Sequence, residues 1–217
     1  MPKPIELIIF DCDGVLVDSE LIANQVLQQG LASLGWTLSL AEVMERFMGK
    51  SLASCEGEIA AFLNTDIPQA FWTSLQQMTY ARFRADLQPV AGIVEVLDVI
   101  KQPKCVASSG SHEKINTTLG ITGLKHHFND AIFSATSVDQ GKPAPDLFLY
   151  AAQQMKTDPS ACLVIEDSPY GVQAAHAADM RVLGYCALTP KERMGTTQTF
   201  NDMATLPTLI SQLQTVL

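Results

Sequence analysis

The fold is constrained most by a pattern that occurs four times along the chain, in which a short apolar segment ends in a polar turn. The apolar segments are typical of buried strands, and they lie at 5–10, 104–107, 131–133 and 162–165. Segments with helical periodicity alternate with them, at about 92–100, 113–119, 146–155 and 170–178. This alternation predicts a parallel sheet that is covered by helices on both faces.

Each polar turn in this pattern follows the carboxyl end of a predicted strand. In an open α/β sheet, ligands bind in the crevice beyond these strand ends. We therefore predict an α/β fold with a Rossmann-like parallel sheet core. We also expect the polar turns to meet in one site at the carboxyl edge of the sheet.

The segment 16–87 interrupts the alternation, because it offers no convincing buried strand. We predict a helical cap domain at 16–87, inserted after the first strand motif, and an α/β catalytic core at 1–15 and 88–217. Because the insert begins just after the first polar turn, we expect it to close over the site as a lid. A further helix is predicted at about 208–217. The apolar residues at helical spacing in the insert include Leu21, Ile22, Val26, Leu27, Leu31 and Leu34.

Charge and cysteine content exclude several functions. With 14 Lys plus Arg against 23 Asp plus Glu, the 217-residue chain has a formal net charge of −9, so it is not expected to bind nucleic acid. The apolar stretch 5–10 is interrupted by Glu6 and is too short for a signal peptide or a membrane span, so we expect a cytoplasmic protein with no membrane partner. The five cysteines are widely spaced, which indicates reduced thiols rather than a zinc site.

Asp11 and Asp13 form an acidic pair directly after the first predicted strand. Gly14 follows them and permits a tight turn of the backbone. Two carboxylates at this spacing can divide the work between a nucleophile and a general acid and base. A turn or a helix cap is the competing interpretation, since aspartate is common at both.

Glu166 and Asp167 form a second acidic pair after another predicted strand. Bringing the two pairs together would be strongly repulsive without a cation between them, which implies a hard divalent ion. Mg²⁺ fits such a site, because it takes oxygen ligands and typically uses one or two carboxylates together with a substrate phosphate. The competing interpretation is that Asp167, Ser168 and Pro169 only begin a helix.

Ser108, Ser109 and Lys142 are candidates for binding an oxyanion. The two serines lie between a predicted strand and a predicted helix, so a hydroxyl and backbone N–H groups can face a phosphate. Lys142 lies in a stretch that Pro143 and Pro145 stiffen, which would direct its ammonium group to a fixed point. Generic loop chemistry for the serines and a solvated lysine are the competing interpretations.

With these residues in this order, the sequence resembles the haloacid dehalogenase-like hydrolases, in particular the phosphatases with a helical cap after the first motif. The resemblance covers nearly the whole chain to about Tyr185. It is strongest to the subgroup that contains sugar-phosphate and phosphogluconate phosphatases and β-phosphoglucomutase. The motifs that carry it are Asp11-Cys12-Asp13-Gly14-Val15, Val106-Ala107-Ser108, Gly141-Lys142-Pro143 and Glu166-Asp167.

The resemblance implies catalytic roles for four residues. Asp11 would attack the phosphorus atom and become an aspartyl phosphate. Asp13 would first protonate the leaving oxygen and then activate the hydrolytic water. Ser108 and Lys142 would orient the phosphoryl group and offset its charge.

The resemblance also implies a Mg²⁺ site. The metal would be held by the carboxylates of Asp11 and Asp167 and by the backbone carbonyl of Asp13, with Glu166 beside them. The function implied is a Mg²⁺-dependent phosphomonoesterase that acts on a small phosphorylated metabolite, either a sugar phosphate or a sugar-acid phosphate such as 6-phosphogluconate.

Three other functions stay open. A haloalkanoate dehalogenase is disfavoured, since the resemblance assigns those enzymes one aspartate in the first motif and no metal. A phosphomutase of the β-phosphoglucomutase type would carry a cap histidine twelve residues after the nucleophile, where this chain has Ala23. A phospho-accepting module without turnover would need neither a lid nor Asp13.

Substrate selection is expected to come from the cap. Gly49, Lys50 and Ser51 form a small, basic and polar loop that could reach a sugar or carboxylate group, and Ser109 is a further candidate for substrate binding. The competing interpretation for Lys50 is a solvated lysine. The sequence does not separate exposed apolar stripes from core, so it is compatible with a monomer without requiring one.

Overall fold

The computed structural model describes residues 3–48, 50 and 52–215. The chain forms two compact units, a helical unit at Asp18–Gln88 and a sheet unit made by the chain on either side of it. The predicted insert, 16–87, differs from the helical unit by two residues at its start and one at its end. Leu16 and Val17 belong to the sheet unit, because Val17 pairs with Pro89 and the Val90 amide donates to the Leu16 carbonyl at 3.0 Å.

A parallel sheet organises the sheet unit. Its strands, numbered in chain order, are β1 (Leu7–Phe10), β2 (Lys104–Ser108), β3 (Ile132–Ser134), β4 (Cys162–Glu166), β5 (Arg181–Tyr185) and β6 (Thr199–Phe200). They lie in the order β3-β2-β1-β4-β5-β6, and every neighbouring pair is parallel. The predicted α/β fold with a parallel sheet is therefore confirmed.

The sequence predicts β1 to β4 but does not predict the last two strands. Strand β5 begins with Arg181 and contains Gly184, which weakens its apolar pattern. Strand β6 is two residues long and is stabilised by pairing with β5 at the end of the sheet. These strands owe their conformation to a neighbouring strand more than to local sequence.

The helices, also numbered in chain order, are α1 (Glu20–Ser33), α2 (Leu40–Phe47), α3 (Leu52–Leu63), α4 (Gln69–Asp86), α5 (Ile93–Val99), α6 (His112–Ile121), α7 (Asp146–Gln154), α8 (Pro169–Ala177) and α9 (Leu206–Thr215). Four of the five helices predicted for the sheet unit are confirmed to within two residues at either end. The fifth, predicted at about 208–217, begins at Leu206, and residues 216 and 217 lie outside the described residues. Two of them begin at serine caps, where Ser111 Oγ accepts from the Lys114 amide at 3.2 Å and Ser168 Oγ accepts from the Gly171 amide at 3.0 Å.

Both faces of the sheet are buried, which explains why its central strands are apolar throughout rather than alternating. Leu7 and Ile9 of β1 join a core with residues of α7 and α8. Ile8 and Phe10 point to the opposite face, and the Phe10 ring packs edge-on against Phe128 with the ring centroids 6.1 Å apart.

The helical unit contains α1 to α4 and has its own core. Its buried residues are Val26, Leu31, Trp36, Val43, Phe47, Cys55, Ile59, Ile67, Trp72 and Leu75. Trp36 lies at the centre of an aromatic group, stacked on Phe62 at 3.7 Å and edge-on to Phe47 at 6.0 Å between ring centroids. Across the part of the chain that the structure describes, no helix combines the length and the apolar character that a bilayer crossing requires.

Candidate active site

Adjacent strands bring the predicted site residues to the carboxyl edge of the sheet. Ser108 ends β2, Asp11 directly follows β1, and Glu166 ends β4. The Asp11 amide donates to the Ile165 carbonyl of β4 at 2.9 Å, which fixes the backbone of Asp11 in the sheet. The carboxylates of Asp11 and Glu166 therefore meet, although 155 residues separate them in sequence (166 − 11).

Lys142 joins these two carboxylates. Its Nζ donates to Asp11 Oδ1 at 2.6 Å and to Glu166 Oε2 at 2.7 Å, and its side chain is 4% exposed. The ammonium group also lies 4.8 Å from the centroid of the Phe148 ring. Burial acts to lower the pKa of Lys142, but the negative charges of Asp11 and Glu166 outweigh burial and hold that pKa well above its usual value. Lys142 is therefore a permanent cation at the centre of the site.

The environment of Asp11 works against its ionised form. Burial raises the pKa of this carboxyl, Lys142 opposes the change, and the nearby negative charges of Glu166 and Asp13 add to it. The result is a pKa of about 7, against an ordinary value of 3.8. An extra cation beside Asp11 would favour the carboxylate, which is the form that can act as a nucleophile.

Glu166 accepts four hydrogen bonds, three at Oε1 and one, from Lys142, at Oε2. Besides Lys142, its carboxylate accepts from the Asp167 amide at 3.1 Å, from the Ser168 amide at 3.0 Å and from Ser168 Oγ at 2.8 Å. Gly171 permits this arrangement, because a Cβ at that position would collide with the Glu166 carboxylate. Glu166 therefore ties Lys142 to the start of α8.

Asp11, Glu166 and Asp167 form a group that could hold a metal ion. Their nearest carboxylate oxygens all lie within 4.8 Å of one another, and all three residues are buried. Gly14 makes room for the Asp167 carboxylate, because its φ of +79° favours glycine and an added Cβ would collide with that carboxylate. A donor set made only of carboxylate oxygens suits a hard divalent cation.

Asp13 takes a different partner. Lys114 Nζ, on the first turn of α6, donates to Asp13 Oδ2 at 2.9 Å. Lys114 is not among the site residues predicted from the sequence. Lys114 shares the inward face of α6 with Thr118, which lies four residues later and is fully buried. This is a consequence of packing that no motif in the sequence reports.

The serine loop after β2 is held by polar contacts of its own. Ser108 is 1% exposed, and its Oγ accepts from the Gly110 amide at 3.1 Å. The Gly110 carbonyl in turn accepts from Ser134 Oγ at 2.6 Å, at the end of the neighbouring strand β3. Ser109 is exposed. The chain thus carries a buried hydroxyl at Ser108, the last residue of β2, and an exposed hydroxyl at Ser109, the next residue.

Of the candidate substrate residues in the insert, Gly49 and Ser51 lie outside the described residues. Lys50 lies within the helical unit, where its Nζ donates to Glu58 Oε2 at 2.6 Å and lies 5.9 Å from the centroid of the Phe47 ring. Lys50 is therefore partly buried and paired rather than freely solvated. Its role toward a substrate stays a prediction.

Comparison with known proteins identifies the family. A 6-phosphogluconate phosphatase of Escherichia coli strain K12 is 32% identical over 184 residues, covering 84% of this chain and 83% of that protein. A fructose-1-phosphate phosphatase of the same strain is 29% identical over 179 residues, covering 80% of this chain and 92% of that protein. The crystal structure of a haloacid dehalogenase-like protein of unknown function from Agrobacterium tumefaciens has a TM-score of 0.85 and 32% identity, covering 96% of this chain and 99% of that one. Residues 5–179 match the haloacid dehalogenase-like hydrolases as a family, and the chain belongs to that family.

Proposed function

We propose that the protein is a Mg²⁺-dependent phosphomonoesterase that hydrolyses a small sugar phosphate or sugar-acid phosphate through an aspartyl phosphate on Asp11. The enzyme class predicted from the sequence, a haloacid dehalogenase-like phosphatase, is confirmed by the family match and by relatives that are named as phosphatases. The observation that carries the mechanism is the buried Asp11 carboxylate at the end of β1, 2.6 Å from the ammonium group of Lys142.

The charges of the site support a divalent cation. The carboxylates of the site outnumber its two lysine ammonium groups by two when all of them are ionised (4 − 2 = 2), and they belong to Asp11, Asp13, Glu166 and Asp167. Asp11 and Asp167, with the Asp13 backbone carbonyl, would hold the metal. Glu166 would act beside the metal, with Oε2 bound to Lys142 and Oε1 bound to three donors at the start of α8. When bound, Mg²⁺ offsets negative charge on the phosphoryl oxygens and favours ionised Asp11.

The first chemical step assigns one carboxylate to each task. A carboxylate oxygen of Asp11 forms a bond to phosphorus while the bond from phosphorus to the ester oxygen breaks. Asp13 gives its proton to that ester oxygen, so the product leaves as a neutral alcohol. In the second step Asp13, now ionised, takes a proton from a water whose oxygen bonds to the phosphorus of the aspartyl phosphate. The bond from phosphorus to the Asp11 oxygen breaks, which releases inorganic phosphate and restores the Asp11 carboxylate.

Ser108 and Lys142 orient the phosphoryl group during both steps. Lys142 is suited to this because its position is fixed by two carboxylates and its charge is permanent. A buried cation stabilises charge that develops on phosphoryl oxygens more strongly than a solvated one. The Ser108 hydroxyl lies at the end of β2, the strand that pairs with β1, and it accepts from the Gly110 amide.

The substrate class rests on the named relatives and on the candidate substrate residues. The two Escherichia coli relatives are named for 6-phosphogluconate and fructose 1-phosphate, which are both phosphorylated derivatives of a six-carbon sugar. Lys50, with Gly49 and Ser51, would recognise the carboxylate or hydroxyl groups of such a substrate, and Ser109 would contact its phosphate. An acid such as 6-phosphogluconate suits a cationic side chain best.

The test is phosphate release from a panel of small phosphate esters: 6-phosphogluconate, fructose 1-phosphate, glucose 6-phosphate, phosphoglycolate and β-glucose 1-phosphate. Each is assayed with Mg²⁺ and with EDTA, and Asp11→Asn is the matched control. We expect release that requires both Mg²⁺ and Asp11. Conversion of β-glucose 1-phosphate to glucose 6-phosphate without phosphate release would instead establish a mutase. Stable phosphorylation of Asp11 without turnover would establish a phospho-accepting module.

A further inference from the structure

The partner of Asp13 comes from a distant part of the chain. Lys114 and Asp13 are 101 residues apart in sequence, and the distance from Nζ to Oδ2 is 2.9 Å. The Asp13 side chain is 15% exposed and that of Lys114 is 30% exposed. This ion pair is thus more shielded from water than an ordinary surface pair, whose contribution to stability is small.

Helix α6 holds Lys114 in place at two levels. The cap residue Ser111 accepts from the Lys114 amide at 3.2 Å, which fixes the first turn of the helix. One turn later, Thr118 Oγ1 lies 3.8 Å from the Sγ atom of Cys12, the residue between the two aspartates of the first motif. The inward face of α6 therefore contacts the Asp11–Asp13 turn at two successive residues of that turn.

Gly110 provides the space in which the lysine side chain lies. A Cβ on Gly110 would lie 3.3 Å from Cδ of Lys114 and 3.4 Å from Oγ of Ser108, which is tighter than usual for the first of these contacts. The aliphatic part of Lys114 thus passes close to the loop that carries Ser108. Lys114 therefore lies against both the turn after β1 and the loop after β2.

We propose that Lys114 is a positioning residue, which fixes the orientation of the Asp13 carboxyl group for proton transfer to the ester oxygen. The proposal rests on the proposed function and adds a residue to its machinery. In the step concerned Asp13 is protonated, and the proton lies on Oδ1 because Lys114 donates to Oδ2. That O–H bond breaks, the proton joins the ester oxygen, and the electron pair of the broken bond to phosphorus stays on that oxygen. A carboxyl group that rotates freely would reach this geometry less often.

Leaving-group dependence separates positioning from a general structural effect. A sugar phosphate needs a proton from Asp13 as its alkoxide departs, whereas 4-nitrophenyl phosphate releases a stabilised phenolate that needs none. The ratio kcat/KM reports the steps up to release of this group, so it isolates the acid role of Asp13 from its later role as a base. A positioning residue for the acid should therefore affect the first substrate much more than the second.

The experiment measures kcat/KM for both substrates with the full chain and Mg²⁺. For Lys114→Met we expect a loss of about 10- to 100-fold on the best sugar phosphate of the panel and a loss below about threefold on 4-nitrophenyl phosphate. Lys114→Arg, which keeps a cation, should recover part of the loss. Lys125→Met, at an exposed lysine of the same unit, is the matched control and should change neither value.

A double-mutant cycle gives a second test, which can still be interpreted if Lys114→Met lowers the stability of the fold. In an Asp13→Asn background, Lys114→Met should cause no further loss on the sugar phosphate, because the group it positions is already gone. Equal losses on both substrates, or a full additional loss in the Asp13→Asn background, would overturn the proposal while the phosphatase assignment stands. If the wild-type enzyme hydrolyses neither ester, the proposed function itself fails.

Discussion

Two ion pairs, one in each unit, have the same length and opposite surroundings. In the sheet unit, Lys142 Nζ lies 2.6 Å from Asp11 Oδ1, and the side chains are 4% and 9% exposed. In the helical unit, Lys50 Nζ lies 2.6 Å from Glu58 Oε2, and the side chains are 26% and 32% exposed. Water and salt screen the second pair, whereas the first has exchanged its hydration for protein contacts.

The contrast shows that burial, not distance, decides how much these charges can do. A buried pair is costly to form and more costly to break on one side, because the remaining charge then lacks a partner. The buried pair in the sheet unit is therefore a sign of function, since it serves stability poorly compared with an apolar pair of similar volume. The following changes test this contrast.

Removal of the buried carboxylate should have the largest effect. Asp11→Asn keeps the shape of the side chain but replaces the nucleophile with an amide, so kcat/KM should fall on the order of 10⁴-fold or more. The melting temperature should change by less than about 5 °C, because Lys142 keeps Glu166 as a partner. Near-normal activity of this variant, measured by phosphate release, would show that another residue is the nucleophile.

Removal of the lysine from each pair compares the two units directly. Lys142→Met leaves Asp11 and Glu166 buried without their cation, and it should lower the free energy of unfolding by about 3–5 kcal/mol in the presence of EDTA. Lys50→Met is the matched control and should lower it by at most about 1 kcal/mol. Urea denaturation of both variants provides the comparison, and equal losses would contradict the role assigned to burial.

The pH dependence of stability should reveal the carboxyl group of the buried pair. Burial, together with Glu166 and Asp13, raises the pKa of Asp11 from 3.8 to about 7 in the folded chain. The folded state then binds this proton more tightly than the unfolded chain. The contribution of Asp11 to stability is therefore fully present below pH 3.8 and is lost as the pH rises through about 7.

Added Mg²⁺ should oppose that loss, because it favours the ionised carboxyl group. The increase in melting temperature that Mg²⁺ causes should therefore be larger at about pH 8 than at about pH 5. Asp11→Asn, which has no carboxyl group at this position, is the control and should show a weaker dependence on pH. A Mg²⁺ effect that is equal at both pH values in the wild-type protein would argue against ionisation of Asp11 as its cause.

The partly buried Lys50 of the helical unit should matter for substrate affinity instead. If Lys50 recognises the acidic end of 6-phosphogluconate, Lys50→Met should raise KM for that substrate by about 10-fold and leave kcat almost unchanged. The same variant assayed with 4-nitrophenyl phosphate, which lacks that group, is the internal control. An unchanged KM for 6-phosphogluconate would return Lys50 to a structural role with Glu58.

The smallest effect is expected at an ion pair that is more exposed still. Arg82 Nε lies 2.7 Å from Asp86 Oδ2 on α4, one helical turn apart, with side chains 41% and 48% exposed. Arg82→Gln should change the free energy of unfolding by no more than about 0.5 kcal/mol and should not change kcat. A loss as large as that of Lys142→Met would contradict the ranking by burial.

The sequence alone predicts the parallel sheet, the family and the helices of the sheet unit. This succeeds because apolar strands that run into polar turns, and helical periodicity between them, are local signals. It fails for β6, whose two residues adopt a strand by pairing with β5. The conformation of such a short strand depends on pairing with another strand, which the sequence of the strand itself does not report.

In the candidate site, too, the sequence predicts some features and not others. The acidic pairs and Lys142 follow from motifs, but their distances and charges do not. The pairing of Lys114 with Asp13 across 101 residues depends on where α6 packs, which no spacing in the sequence reports. The three hydrogen bonds to Glu166 Oε1 also require the folded turn before α8, since Ser168 contributes two of the donors.

The central claim is that Asp11 carries the phosphoryl group during turnover. The most direct test is rapid-quench mass spectrometry of Asp13→Asn mixed with 4-nitrophenyl phosphate and Mg²⁺, because this substrate needs no acid and the variant lacks the base for the second step. We expect one phosphoryl group per chain on the peptide that contains Asp11, and none when Asp11→Asn is added to the variant. A phosphoryl group on any other residue, or substrate consumption with no phosphorylated enzyme, would contradict it.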